Sequence, residues 1–251
     1  MSLPSDIYKL KGLRTLCCRE CLMLRSFPEI KERMKNLREL YLSETDLKEL
    51  PSSSTKHLKG LTDLDLTGCR NLIHVPKSIC AMRSLKALSF SYCPKLDKLP
   101  EDLESLPCLE SLSLNFLRCE LPCLSGLSSL KELSLDQSNI TGEVIPNDNG
   151  LSSLKSLSLN YNRMERGILS NIFCLSSLEE LKLRGNHFST IPAGISKLPR
   201  LRSLNLSHCK KLLQIPELPS SLRALDTHGS PVTLSSGPWS LLKCFKSAIQ
   251  V

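Results

Sequence analysis

Leu61-Thr62-Asp63-Leu64-Asp65-Leu66-Thr67-Gly68-Cys69-Arg70-Asn71-Leu72-Ile73-His74-Val75-Pro76-Lys77-Ser78-Ile79-Cys80-Ala81-Met82 is the stretch from which the rest of this 251-residue chain can be read. It opens on Leu, two residues, Leu, one residue, Leu. The period-2 spacing at its end marks a short strand. Cys69 to Pro76 turns the chain away, and Lys77 to Met82 brings it back. Ile79 and Met82 stand three apart, as one inward-facing helical or 3₁₀ turn requires. The same spacing recurs in both directions. Its last two anchors are Leu16/Cys18, Leu40/Leu42, Leu64/Leu66, Leu88/Phe90, Leu112/Leu114, Leu133/Leu135, Leu157/Leu159, Leu181/Leu183, Leu204/Leu206 and Leu225/Thr227. Successive steps are 24, 24, 24, 24, 21, 24, 24, 23 and 21 residues.

A period of roughly 20–29 residues with this signature specifies a leucine-rich-repeat solenoid, an α/β horseshoe. About ten short strands should form its concave parallel β-sheet. Loops, 3₁₀ turns and short helical turns should form its convex side. Each unit is too small to bury its apolar face alone, so the stack shares one core. Leu supplies that core, because aromatics are only 4% of the chain. Pro51, Pro76, Pro100 and Pro192 each begin a return segment, where a missing N–H costs little.

The array is expected over residues 1–230 in about ten units, with the first incomplete. Leu3-Pro4-Ser5-Asp6-Ile7 reads as the closing half of a repeat whose strand is missing. Residues 231–251 read as a post-repeat tail that starts a further C-terminal domain. Three departures stand out. Ser52-Ser53-Ser54-Thr55 replaces the usual return after Pro51, which predicts a loose second unit. The fifth unit drops three residues and places Leu117 in a polar or Cys slot. The sixth, Asn139 to Pro146, has a longer turn containing Gly142.

The balance of 33 Lys plus Arg against 25 Asp plus Glu gives a net charge of +8. Spread along a horseshoe, this favours acidic partners only weakly, and nucleic-acid binding is not expected. No apolar run approaches the roughly 18 residues of a membrane span, and no signal peptide is visible. The twelve Cys do not read as a disulfide framework. Three residues past each last anchor stand Cys21, Thr45, Cys69, Cys93, Leu117, Ser138, Asn162, Asn186, Cys209 and Ser230. Small polar residues there can pair buried backbone groups of the turn, and Cys tolerates burial. Four of the Cys are thus expected as ladder rungs in a reducing compartment. Cys18 and Cys21 have C-x-x-C spacing, but no second ligand pair follows, so no metal site is expected. The five His are scattered and no phosphate-binding loop is present. Neither catalytic residues nor a cofactor site is expected, and the chain does not read as an enzyme.

Function should therefore reside on the concave face. A slot at its edge holds Arg14, Arg38, Lys86, Lys131, Lys155, Arg202 and Arg223, with Glu110 and Glu179 among them. It reads either as a solvated edge or as a docking stripe. Exposed aromatics anchor many interfaces. Tyr41, Tyr92, Phe116 and Tyr161 are the candidate protein contacts, with Lys182, Arg184 and His208 as a polar patch beyond them. Small Ser residues between them form a groove floor.

Leu64-Asp65-Leu66-Thr67-Gly68-Cys69-Arg70-Asn71-Leu72 and Leu204-Asn205-Leu206-Ser207-His208-Cys209-Lys210-Lys211-Leu212 belong to a particular repeat style. So do Leu47-Lys48-Glu49-Leu50-Pro51 and Glu217-Leu218-Pro219-Ser220-Ser221-Leu222. Together they resemble the leucine-rich-repeat region of plant intracellular immune receptors with a Toll-like and a nucleotide-binding domain. The resemblance implies two partners, a pathogen effector and the receptor's own nucleotide-binding domain, in the cytoplasm or nucleus. Ser230 stands where such arrays often have Cys. Two other readings remain open. One is a ubiquitin-ligase substrate receptor, whose repeats run longer. The other is an extracellular receptor ectodomain, suggested by the sixth unit and the sequons at Asn139 and Asn205.

Overall fold

The computed structural model describes residues 2–138, 140, 145, 150–164 and 169–232. Ten strands form one sheet, parallel throughout and in chain order. They are β1 Thr15–Cys17, β2 Glu39–Tyr41, β3 Asp63–Asp65, β4 Ala87–Ser89, β5 Ser111–Ser113, β6 Glu132–Ser134, β7 Ser156–Ser158, β8 Glu180–Lys182, β9 Ser203–Asn205 and β10 Ala224–Asp226. Register is uniform: Leu40 pairs with Leu16 and Leu64, and Leu157 with Leu133 and Leu181. Each central Leu therefore stacks on its counterparts in a single column. In the interior strands this column is buried, while Leu16 and Leu225 at the sheet edges are half-buried. Burying one such side chain stabilises by about 1.5–3 kcal/mol, so the stack supplies most of the cohesion.

The backbone explains the short strands. The carbonyl of Arg38 accepts from both Thr62 and Asp63 N–H, at 2.7 and 3.0 Å, and Arg14 does the same for Arg38 and Glu39. Pairing then continues past the strand, as Gly68 N–H donates to Ser91 and Tyr92 N–H to Asn115. On the convex side the expected prolines sit just outside the return turns. Pro76, Pro100 and Pro192 precede 3₁₀ segments at Lys77–Ala81, Glu101–Ser105 and Ala193–Lys197. Their extended ψ lets the Pro carbonyl accept from the third residue beyond, as with Ile79 N–H on Pro76.

Two expectations need correction. The second unit is tight. Ser52–His57 forms α1, with Ser54 and Thr55 buried. The Ser54 hydroxyl donates to the Pro28 carbonyl at 2.8 Å and accepts from Ile30 N–H at 2.9 Å. Thr55 Oγ1 bonds to Ser78 Oγ. Small hydroxyls take the place of the apolar return by satisfying the neighbouring turn. The second correction concerns Cys21, which is exposed. Cys69, Cys93 and Cys209 do fill rungs, their thiols donating to Leu42, Leu66 and Leu183 carbonyls at 3.1–3.2 Å. Those carbonyls lie 26–27 residues upstream, whereas Cys21 stands exposed beside the edge strand β1. Three rungs are therefore thiols, not four.

The other rungs behave as the pattern predicts. Asn186 Nδ2 donates to Leu159 and Leu183 carbonyls, both at 2.8 Å, and its Oδ1 accepts from Asn162 and Met164 N–H. Ser138 donates to Leu114, and Ser230 to Leu206, each at 2.7 Å. Ser230 thus completes the last rung. Leu117 is buried in the core, and its N–H donates to the next rung, Ser138 Oγ. Among the described residues no buried side-chain N or O lacks a partner. The Gly-containing turn of the sixth unit lies, apart from residues 140 and 145, outside the described residues. So does the tail from residue 233.

Candidate protein-binding surface

Two residues past each strand's last anchor the chain makes a left-handed turn, in every unit. Glu20, Glu44, Tyr92, Phe116, Gln137, Tyr161 and His208 have φ between 52° and 60°, and Gly68, Gly185 and Gly229 between 68° and 72°. Glycine adopts this conformation freely, while for bulky residues it costs about 1–2 kcal/mol. The repeat imposes it because the next N–H must reach the neighbouring turn, as when Glu44 N–H donates to the Thr67 carbonyl. The result is a rim whose side chains project clear of the core. Four of the seven sequence candidates lie on this rim, Tyr92, Phe116, Tyr161 and His208, and Arg184 lies directly beside it.

The candidates form separate groups. Tyr92 and Phe116 stack, with ring centroids 4.2 Å apart and a 30° tilt. Tyr92 is 49% exposed. They wall an open cleft of about 510 Å³ that also touches Glu44, Gly68, Arg70 and Arg118. Further along, the Tyr161 ring lies over Gly185, where a Cβ would meet it at 2.3 Å. The Arg184 guanidinium sits 5.7 Å from that ring. His208 meets His228 edge to face at 5.4 Å. Burial, then the Arg184, His228 and Lys210 charges, hold the His208 pKa below its usual range. Tyr41 stands apart on β2 under the Arg19 guanidinium at 4.2 Å, and burial raises its pKa.

The Ser floor is present and engaged in its own network. The Asp136 carboxylate accepts from Ser158 Oγ and Asn160 N–H, both at 2.7 Å. Asn115 Oδ1 does the same for Ser134 Oγ and Asp136 N–H. Asn160 Oδ1 accepts from Arg184 N–H at 2.9 Å. This ladder lines a shallow cleft of about 440 Å³ closed by Lys182, whose ammonium is 3.0 Å from Glu180. Asn205 Oδ1 accepts from the N–H and hydroxyl of Ser207.

The basic edge is largely self-compensated. Glu110 sits 3.2 and 2.5 Å from Lys86 and Lys131, and Glu179 lies 3.9 and 3.5 Å from Lys155 and Arg202. Arg38 donates to the Lys35 and Gly60 carbonyls. The two acidic members thus break up what the sequence presents as a stripe, and the solvated-edge reading wins. Burial pushes the thiols of Cys80 and Cys93 up to about 11 and about 12, so neither is a nucleophile at neutral pH. No group of three or more potential metal ligands occurs among the described residues. No helix there is long and apolar enough to cross a membrane.

A family model for Leucine Rich repeats (2 copies) matches residues 176–220. Disease resistance protein RPS4B of Arabidopsis thaliana is 31% identical over 220 residues, which is 88% of this chain and 14% of that protein. This chain is a leucine-rich-repeat region of the plant disease-resistance type. TMV resistance protein N of Nicotiana glutinosa is 36% identical over 78 residues, 31% of this chain and 7% of the relative. The array thus spans about one-seventh or less of the length of these two relatives. Solved structures agree on the fold. The Arabidopsis receptor kinase HAESA superposes with a TM-score of 0.70 at 24% identity, covering 92% of this chain and 40% of that one. A Listeria monocytogenes internalin does so at 0.67 and 21%, covering 92% and 72%. The solved structures show the leucine-rich-repeat fold, and the two resistance proteins share this repeat region with the chain.

The left-handed rim is the feature that sequence reading missed. The glycines at 68, 185 and 229 were its only signal, because they share a column with Tyr92, Phe116, Tyr161 and His208.

Proposed function

We propose that this chain is the recognition arm of a plant disease resistance receptor, binding a pathogen effector protein and restraining a nucleotide-binding domain until it does so. The observation that carries the reading is the row of ring-bearing side chains on the left-handed rim, Tyr92, Phe116 and Tyr161, at positions where glycine would be less strained. Tyr41, Lys182, Arg184 and His208 flank the row as further contacts. Residues 1–230 act as the array, and 231–251 lead into a further domain. Buried thiols hydrogen-bonded to carbonyls suit the cytoplasm or nucleus, where Cys stays reduced.

Effector contact would shift a resting-to-active equilibrium only through different affinity for the two states. The test replaces Tyr92, Phe116 and Tyr161 by Ala in the full-length receptor and scores effector-triggered cell death in leaves. Loss of the response at normal protein level is expected. An unchanged response would remove these residues from the contact surface.

A further inference from the structure

We propose that the cleft walled by Tyr92 and Phe116 is a docking groove for an extended protein segment that pairs an acidic side chain with an adjacent apolar one. The inference deepens the recognition reading by naming the site and the chemistry of its occupant. The apolar wall is the stacked ring pair, half exposed and held at φ 59° and 60°. Beside it the rim column drops to Gly68, over which the Glu44 side chain lies, so Glu44 ends the groove opposite Tyr92.

Charge selects the occupant. Arg70 and Arg118 flank the wall, are exposed, and form no ion pair among the described residues. Elsewhere Arg19 and Arg25 are matched with Asp65 and Asp46. Two unmatched guanidiniums beside rings suit one carboxylate, which Arg can bind in a two-pronged geometry. A polyanion fits poorly. Glu44 lines the groove, and Glu39, Asp63 and Asp65 occupy the strands beside it. Reach sets the occupant's shape. From Glu44 to Phe116 the groove crosses three strand spacings, about 14 Å in all. Four to five residues of extended chain span that distance at about 3.3 Å each.

The test selects phage-displayed random dodecapeptides on the full chain, then titrates the best fluorescein-labelled peptide by anisotropy. Selected peptides should carry Asp or Glu within two positions of an aromatic or aliphatic residue. Arg70→Glu and Arg118→Glu should each weaken binding by about tenfold or more, as loss of a charged anchor does. Tyr92→Ser should weaken it as strongly, and Arg200→Glu, exposed and outside the groove, should leave it unchanged. Circular dichroism of the variants separates lost binding from lost fold. The groove is refuted if both Arg reversals leave affinity intact or if acidic residues are not enriched. It is also refuted if a single-stranded oligonucleotide binds through these residues and no peptide does. Binding lost only at Tyr161→Ser and Arg184→Glu would refute the groove while leaving recognition by the array standing.

Discussion

The rim from Gly68 to Phe116 and the rim from Tyr161 to Gly229 share one backbone and end in different surfaces. In the first, the ring of Tyr92 meets another ring, so both stand up as a wall of the cleft that Glu44 and Gly68 also line. In the second, each ring meets a glycine one unit further on. Tyr161 folds over Gly185, and His208 lies 3.0 Å from where a Cβ on Gly229 would stand. What differs is the neighbour one period away. A glycine there lets a ring lie flat and closes the surface, and a second aromatic props it open. The solenoid thus writes its binding surface by pairwise choices between units, with the core unchanged beneath.

The most drastic way to break the comparison is Leu157→Arg, in β7 between the two rims. Leu157 is fully buried, and an unpaired charge there should cost several kcal/mol and collapse the central array. A thermal melt by circular dichroism equal to that of the parent would disprove the register.

Next come the rungs under each rim. Asn186→Ala removes a side chain making four hydrogen bonds in a fully buried site, and should destabilise by about 3 kcal/mol. Cys93→Ala, under the other rim, removes a thiol that donates to two carbonyls at 3.2 and 3.7 Å and should cost about 1 kcal/mol. Urea denaturation compares the pair. Equal losses would mean that thiol and amide rungs are equivalent.

A smaller effect isolates the glycine rule. Gly185→Ala forces a Cβ into left-handed backbone and into the Tyr161 ring, for a loss of about 1–2 kcal/mol. Gly12→Ala, with open space around it, provides the control. The smallest change should come from Tyr92→Gly. It relieves the strained turn, about 1 kcal/mol, while losing a ring stack of about 0.5–1.5 kcal/mol. Stability should stay within about 0.5 kcal/mol of the parent. A large drop would mean that the ring wall is structural.

Much of this fold was legible because period and burial are tied together. A Leu every 24 residues leaves little choice but a stack, and small polar residues three places on mark a turn with backbone to satisfy. The second unit misled because Ser52-Ser53-Ser54-Thr55 lacks the apolar return. Only the structure brings the Pro28 carbonyl and Ile30 N–H within reach of Ser54, turning a gap in the pattern into a packed contact. Cys21 misled for the opposite reason: its slot fits the column, but beside the edge strand β1 its thiol stays exposed.

The sequence by itself determined the solenoid, its ten strands and the column to which each side chain belongs. Those follow from short-range spacing, and every unit repeats the same answer. Tertiary structure decided which column members cooperate. Tyr92 and Phe116 are 24 residues apart in the chain and 4.2 Å apart at their rings. Glu110 and Glu179, already in the slot by sequence, are seen only in the structure to reach the basic residues on both sides. Such contacts depend on rotamer, turn handedness and the neighbour one period away, and a one-dimensional pattern fixes none of these.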